Sequence, residues 1–287
     1  MLQQAKVNLR NFGADKIFVI SDKNNTQRRK DFVEAWNCFS GFDFEFIDAI
    51  MGENIDINSL LQDGSISPTF NCSIGSLSKN IIGVALSHKK TWQYILSLRK
   101  DKSIYSKYKD WYLILEDDVR PTEELCEAIF NGEYKKILKE INQYDMDLIY
   151  WGKAKRPYVK GEIFNKYFVK PYSENDYAAH AYMVKPTMIE SMVNMYKVNM
   201  PVDVYIDKTF KNDIFATHKC FIQQQGHLIG KFIMAPFDED FLYSTGTQVN
   251  PHVIKTTNDE YERIHPDIRD NVYDVHKNKN GYTIFLK

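Results

Sequence analysis

A short apolar run, Ile17 to Ser21, is followed by a polar turn and then by Phe32, Val33, Ala35 and Trp36 at helical spacing. The next segment, FDFEFIDAI (Phe42 to Ile50), alternates large apolar and acidic residues with period two, the pattern of a half-buried strand. A strand, a helix and a second strand in this order predict a parallel α/β sheet.

Further along, Ile81, Ala85, Trp92 and Ile95 recur at helical spacing within Leu77 to Arg99, and His88 falls on the same stripe, so a buried helix is expected there. WYLILEDDV (Trp111 to Val119) reads as a buried strand that delivers three carboxylates at its C-terminal end. MDLIYWG (Met146 to Gly152) and AAHAYMV (Ala178 to Val184) read as core strands, with helical segments over 122–142 and 186–198. The α/β pattern runs to about residue 235; the last stretch is turn-rich and charged. The expected organisation is a catalytic domain over 1–245 and a C-terminal extension over 246–287, packed on or near it.

The charge balance, 37 Lys+Arg against 38 Asp+Glu, excludes a dedicated nucleic-acid binder, and 44% hydrophobic residues in 287 exclude disorder for most of the chain. Cys38, Cys72, Cys126 and Cys220 form no C-x-x-C pair, so neither a zinc site nor a disulfide framework is expected. The N-terminal residues lack the apolar run of a signal peptide, and no stretch approaches a membrane span, which predicts a soluble, cytoplasmic protein. Sequons at Asn24 and Asn71 carry no weight without a secretion signal.

Glu116-Asp117-Asp118 is the leading chemical signal. Ligands of open α/β sheets bind beyond the carboxyl ends of strands, and adjacent carboxylates there call for a cation or hydrogen-bond donors. The first carboxylate can accept hydrogen bonds from a ribose while the third binds a divalent metal gripping a diphosphate; a solvated acidic turn that caps the helix starting near Thr122 is the plain alternative. Val202, Ile206 and Phe210 make an i, i+4, i+8 stripe that leaves Asp203 and Asp207 together on the neighbouring face. Asp203, nearer the helix start, is either a general base kept ionised by the helix dipole or a charge that merely stabilises the helix. His227, after the strand-like CFIQQ, is a further metal-ligand candidate or a satisfied histidine. Arg28 and Arg29, after the first strand, suit a phosphate. Ser87-His88 is no nucleophile–base dyad, since adjacent helix residues point about 100° apart; His88 reads instead as a buried, hydrogen-bonded histidine. The basic and aromatic residues between Arg99 and Lys109 read as a solvated connection. There is no P-loop and no G-x-G-x-x-G.

Four blocks in order resemble glycosyltransferase family 25, which includes bacterial lipooligosaccharide galactosyltransferases and the galactosyltransferase domain of procollagen-modifying enzymes. They are FEFIDAIMG (Phe44 to Gly52), IIGVALSHKKTWQYIL (Ile81 to Leu96), LILEDDV (Leu113 to Val119), and AAHAYMV followed by PVD (Pro201 to Asp203). The resemblance implies a GT-A type nucleotide-sugar fold, a single mostly parallel sheet flanked by helices. It also implies an inverting transfer of galactose or glucose from UDP-galactose or UDP-glucose to a saccharide or hydroxylysine-like hydroxyl acceptor, with Mn2+ or Mg2+. Carried over, Glu116 holds the ribose, Asp118 the metal with Asp117 assisting, and Asp203 is the base; Ser21, Arg28 and His227 complete the expected donor and metal set. Departures from the family pattern are Ser21-Asp22 in place of Asn-Leu, Ile81 in place of an acidic residue, and a loose match at Tyr243 to Gln248. An inactive family relative that binds a nucleotide or glycan, and a metal-dependent hydrolase or nuclease, are the rival readings; the near-neutral charge counts against the latter.

Overall fold

The structure, a computed structural model, describes residues 7–8, 10–67, 77–100, 111–152, 159, 161–172, 179–224, 254–256, 273–278 and 281–286. The chain forms two compact units, residues 1–234 and 235–287.

In the first unit, strands β1 (Lys16–Ser21), β2 (Phe44–Asp48), β3 (Tyr112–Glu116), β5 (Leu148–Gly152), β6 (Gly161–Ile163), β7 (Phe168–Pro171), β8 (Ala181–Val184) and β9 (Ile214–Thr217) form one sheet in the order β2-β1-β3-β8-β5-β9-β7-β6. Six of the eight run the same way; β8 and β7 oppose them. A two-stranded antiparallel pair, β4 (Val119–Pro121) with β10 (Ile222–Gln224), lies outside this sheet.

Period-two alternation sorts the side chains into two cores, as both faces of a covered sheet require. Phe18, Ile20, Ile114, Tyr150, Tyr182 and Ala216 face helices α3 (Leu77–Lys100), α6 (Pro186–Met195) and α7 (Val202–Thr209) through Trp92, Ile189 and Ile206. Ile17, Val19, Leu113, Leu115, Ile149 and Phe215 face α1 (Thr26–Trp36), α4 (Glu123–Phe130) and α5 (Glu133–Gln143) through Phe32, Leu125 and Ile137; the short helix α2 (Ile57–Gln62) follows β2. The expected α/β fold, one mostly parallel sheet flanked by helices, is what the chain adopts.

Several details differ from the sequence reading. The expected strand over 111–119 breaks into β3, a turn at Asp117-Asp118, and β4. Three adjacent acidic groups cannot be buried in one ladder without partners, and the turn brings them to shared donors, Arg28 and Gln224. The helix over 122–142 is two helices, because Gly132 sits at φ 74°, in the left-handed region. The hairpin β6–β7 and strand β9 were not anticipated; three or four residues give too few alternations to register as a period. The second unit carries a three-stranded antiparallel sheet of its own, made by Ile254–Thr256, Tyr273–Asn278 and Gly281–Leu286, where the sequence reads as turn-rich. No helix among the described residues is long and apolar enough to cross a membrane.

Candidate functional site

The parallel strands bring Ser21, Asp48 and Glu116 to one end of the sheet. Glu116 follows Ile114 by two, so its side chain points to the α3 face, and its backbone N–H donates to the His180 carbonyl at 2.9 Å. The acidic turn that follows is held from several sides. Arg28, in the first turn of α1, places Nε 2.7 Å from Asp117 Oδ1 and Nη2 2.9 Å from Asp118 Oδ2. Arg29 points elsewhere: it donates to the Ser21 hydroxyl at 3.2 Å and pairs with Asp48 at 2.7 Å. The Ser21 hydroxyl in turn donates to the Asp22 carbonyl at 3.4 Å. Buried Arg120 donates to the Val119 carbonyl at 2.9 Å, closing the turn from below.

Two further residues bind Glu116. His88 Nε2 lies 3.4 Å from Glu116 Oε1, and Gln224 Nε2 donates to Glu116 Oε2 at 3.2 Å and to Asp118 Oδ2 at 3.0 Å. Gln224 reaches the site because β10 pairs with β4 in the register Gln224 to Val119. Sequence reasoning passed over it: one Gln in a short strand, a hundred residues from the acidic turn, leaves no local signal.

The three carboxylates differ in their electrostatics. Burial disfavours the charge on Glu116, but the His88 hydrogen bond and the fields of His88, His180 and Arg28 outweigh it and hold its pKa below the usual value. Asp117 is raised, chiefly by burial, against the opposing charge of Arg28. Asp118 is pushed up to about 7 by burial and then by the charge of Glu116, with Arg28 opposing. One oxygen of the turn, Asp118 Oδ1, is buried with no hydrogen-bond partner. Among the described residues no three His, Cys, Asp or Glu side chains gather as a cation cage. Of the carboxylate oxygens in the turn, Asp118 Oδ1 is the buried one that a hard cation would find without a protein donor already on it. His227 lies outside the described residues, as do the Asn71 sequon and the segment Tyr243 to Gln248.

Asp203 occupies the first turn of α7 and Asp207 the next turn, where Asp207 is buried. Tyr150 stands beside the second of them: its hydroxyl is 3.4 Å from Asp207 Oδ1, and burial, then the charges of Asp207, Tyr182 and Asp203, raise its pKa well above the ordinary value. The expected juxtaposition of the two aspartates on one helix face is present. Tyr150 also lies with its ring 6.1 Å from that of Tyr182, whose hydroxyl is 2.9 Å from His88 Nδ1.

The Ser87 hydroxyl does structural work. It donates to the Gly83 carbonyl at 2.7 Å and accepts the Ile50 N–H at 2.8 Å, fastening α3 to the loop after β2. Glycines make that approach possible: a Cβ on Gly83 would lie 2.5 Å from the Ile50 carbonyl oxygen, and one on Gly52 2.7 Å from the Asn80 nitrogen. The first two sequence blocks are thus the two sides of one close contact.

The sequence profile of glycosyltransferase family 25 (LPS biosynthesis protein) matches residues 14–206. The chain belongs to glycosyltransferase family 25. The matched region contains α3 with Ser87 and His88, the acidic turn and Asp203, and it ends within α7. No curated protein sequence matches the chain. Among solved structures, a Drosophila β-1,4-galactosyltransferase 7 in complex with manganese, UDP-Gal and xylobiose is similar at 12% identity, covering 95% of this chain and 94% of that one, with a TM-score of 0.30. A glycosyltransferase involved in glycosylation of the major capsid of PBCV-1 is similar at 12% identity, covering 70% and 91%, with a TM-score of 0.27. Neither overlay carries a residue correspondence onto this chain of family 25.

Proposed function

We propose that this glycosyltransferase moves galactose or glucose from a UDP-sugar to a hydroxyl of a saccharide or a hydroxylysine-like side chain, with inversion and with Mn2+ or Mg2+. The observation that carries the donor side is the acidic turn at the carboxyl end of β3, with Glu116 ionised, Arg28 across Asp117 and Asp118, and Asp118 Oδ1 buried and open. In this reading Glu116 accepts the ribose hydroxyls, and Asp118, assisted by Asp117, holds the metal. Arg28 and Ser21 lie where they can reach the diphosphate once Arg28 exchanges a carboxylate oxygen for a phosphate oxygen.

The bound cation would neutralise negative charge that builds on the departing diphosphate. Asp203 is the base: the helix N-terminus favours its ionised form, and it takes the acceptor hydroxyl proton as that oxygen bonds to the anomeric carbon. The bond from the anomeric carbon to the phosphate oxygen breaks with its electron pair on UDP, and no covalent enzyme intermediate forms. One observation favours a second reading, a relative that binds a nucleotide or glycan without transfer: Arg28 already occupies two of the three carboxylates.

A transfer assay separates the two. The full chain is incubated with Mn2+, UDP-galactose or UDP-glucose, and a panel of saccharide and hydroxylysine acceptors, and acceptor-dependent UDP release is followed. Transfer is expected with at least one pair, and Asp203→Asn is expected to keep UDP binding while losing about 10²–10⁴ in turnover. Normal turnover by Asp203→Asn would remove the base assignment; nucleotide binding with no transfer to any acceptor would favour the second reading.

A further inference from the structure

His88 is enclosed by protein and touches two polar groups of opposite character, Glu116 on one ring nitrogen and the Tyr182 hydroxyl on the other. The direction of every hydrogen bond in this chain follows from one fixed donor. Trp92, one helical turn after His88, has an indole N–H that can only donate, and it donates to the Tyr182 hydroxyl oxygen at 2.8 Å. Burial raises Tyr182 well above its usual pKa, so the hydroxyl keeps its proton, and that proton needs an acceptor. Among the described residues the remaining contact of this hydroxyl is His88 Nδ1, at 2.9 Å. If Nδ1 carried a proton instead, the hydroxyl would receive two donors and bury its own proton unpaired. Nδ1 therefore accepts, and the imidazole proton sits on Nε2, facing Glu116 Oε1.

The same strand secures both ends of this arrangement. Tyr182 is opposite Ile114 in the pairing of β8 with β3, and His180, two residues earlier, accepts the Glu116 backbone N–H. Gln224 donates to the other carboxylate oxygen, Oε2. Each Glu116 oxygen thus receives one protein donor and keeps a further lone pair, so the carboxylate presents two acceptor sites in a fixed plane, a shape matched to a vicinal diol.

We propose that His88 is a positioning residue for the donor: the directed chain Trp92 to Tyr182 to His88 to Glu116 fixes the carboxylate that reads the ribose diol and so sets the enzyme's preference for ribonucleotides. This rests on the reading of Glu116 as the ribose acceptor. It gives a role to the Ser-His pair in which the serine ties the helix to a loop and the histidine orders the site.

The test compares binding of UDP and 2′,3′-dideoxy-UDP, with Mn2+, by calorimetry on the full chain. The wild type is expected to favour UDP by about tenfold or more, the loss that follows from leaving a hydrogen-bonding site unpaired. Glu116→Ala should abolish that preference. His88→Leu should bring it down to the Glu116→Ala level while dideoxy-UDP affinity stays within about twofold, since a residue that only supports the fold would weaken both ligands together. His88→Gln, whose amide N–H can stand near the Nε2 position, should restore it. Retention of the full preference by His88→Leu, with Glu116→Ala having lost it, overturns the role of His88 alone. A wild type with no ribose preference overturns the Glu116 reading and this proposal with it. Should His88→Leu fail to fold, 15N imidazole shifts of the wild type decide: the chain requires a bare Nδ1 and a protonated Nε2, and a protonated Nδ1 at neutral pH contradicts it.

Discussion

Replacing Asp118 by Asn should make the metal-free protein more stable while removing its function. Burial and the charge of Glu116 push the Asp118 pKa from 3.8 up to about 7. Between those values the folded protein retains a proton that the unfolded chain has released. Stability therefore falls as pH rises from about 4 towards 7 and levels off above that. Three units at 1.36 kcal/mol each set a ceiling of about 4 kcal/mol for the cost of the ionised form at pH 8. The side chain is 20% exposed, which admits solvent screening, and an Asn amide would leave an N–H unpaired near the position of Oδ1. The net gain for Asp118→Asn is then about 1–2 kcal/mol at pH 8, or about 2–8 °C in Tm, shrinking towards zero at pH 5 where Asp118 is protonated. Calorimetric unfolding in chelator at both pH values reads this directly. A variant less stable than wild type at pH 8, or a difference that does not change with pH, would mean that burial and the charge of Glu116 do not load the Asp118 carboxylate.

Two further outcomes come from the same geometry. Arg28→Met removes the cation shared by Asp117 and Asp118, leaving buried carboxylates uncompensated; urea unfolding at pH 8 should show a loss of about 2–4 kcal/mol that diminishes at pH 5, and unchanged stability would mean the pair is idle. Gly83→Ala drives a methyl group against the Ile50 carbonyl and should cost about 1–3 kcal/mol by thermal unfolding, together with the Ser87 to Ile50 hydrogen bond; an unaltered Tm would mean the helix and loop can separate freely.

How far the sequence revealed this arrangement depended on whether a feature was periodic or local. β1, β2, β5 and β8 were legible because their apolar residues alternate or run unbroken between turn signals, and both α3 and α7 announced their buried stripes. The acidic turn was legible as chemistry, since an apolar strand ending in three carboxylates has few physical solutions, yet the break of the strand at Asp117 was not. The conformation there depends on Arg28 and Gln224, which come from two distant elements. Gln224 and the Trp92–Tyr182–His88 hydrogen bonds were invisible because long-range hydrogen bonds to single polar residues leave no period and no spacing to read. Arg28 reads in the sequence as a cation suited to phosphate, and the structure adds that it pairs with two carboxylates, a contact that tertiary packing alone creates.

If the turn Glu116 to Asp118 is a metal-assisted donor site, UDP titrated calorimetrically into wild type and Asp118→Asn, each with and without Mn2+, reports it. UDP binding should need Mn2+ in the wild type and fall by more than tenfold in Asp118→Asn. UDP binding that is indifferent to the metal and equal in the two proteins would contradict it.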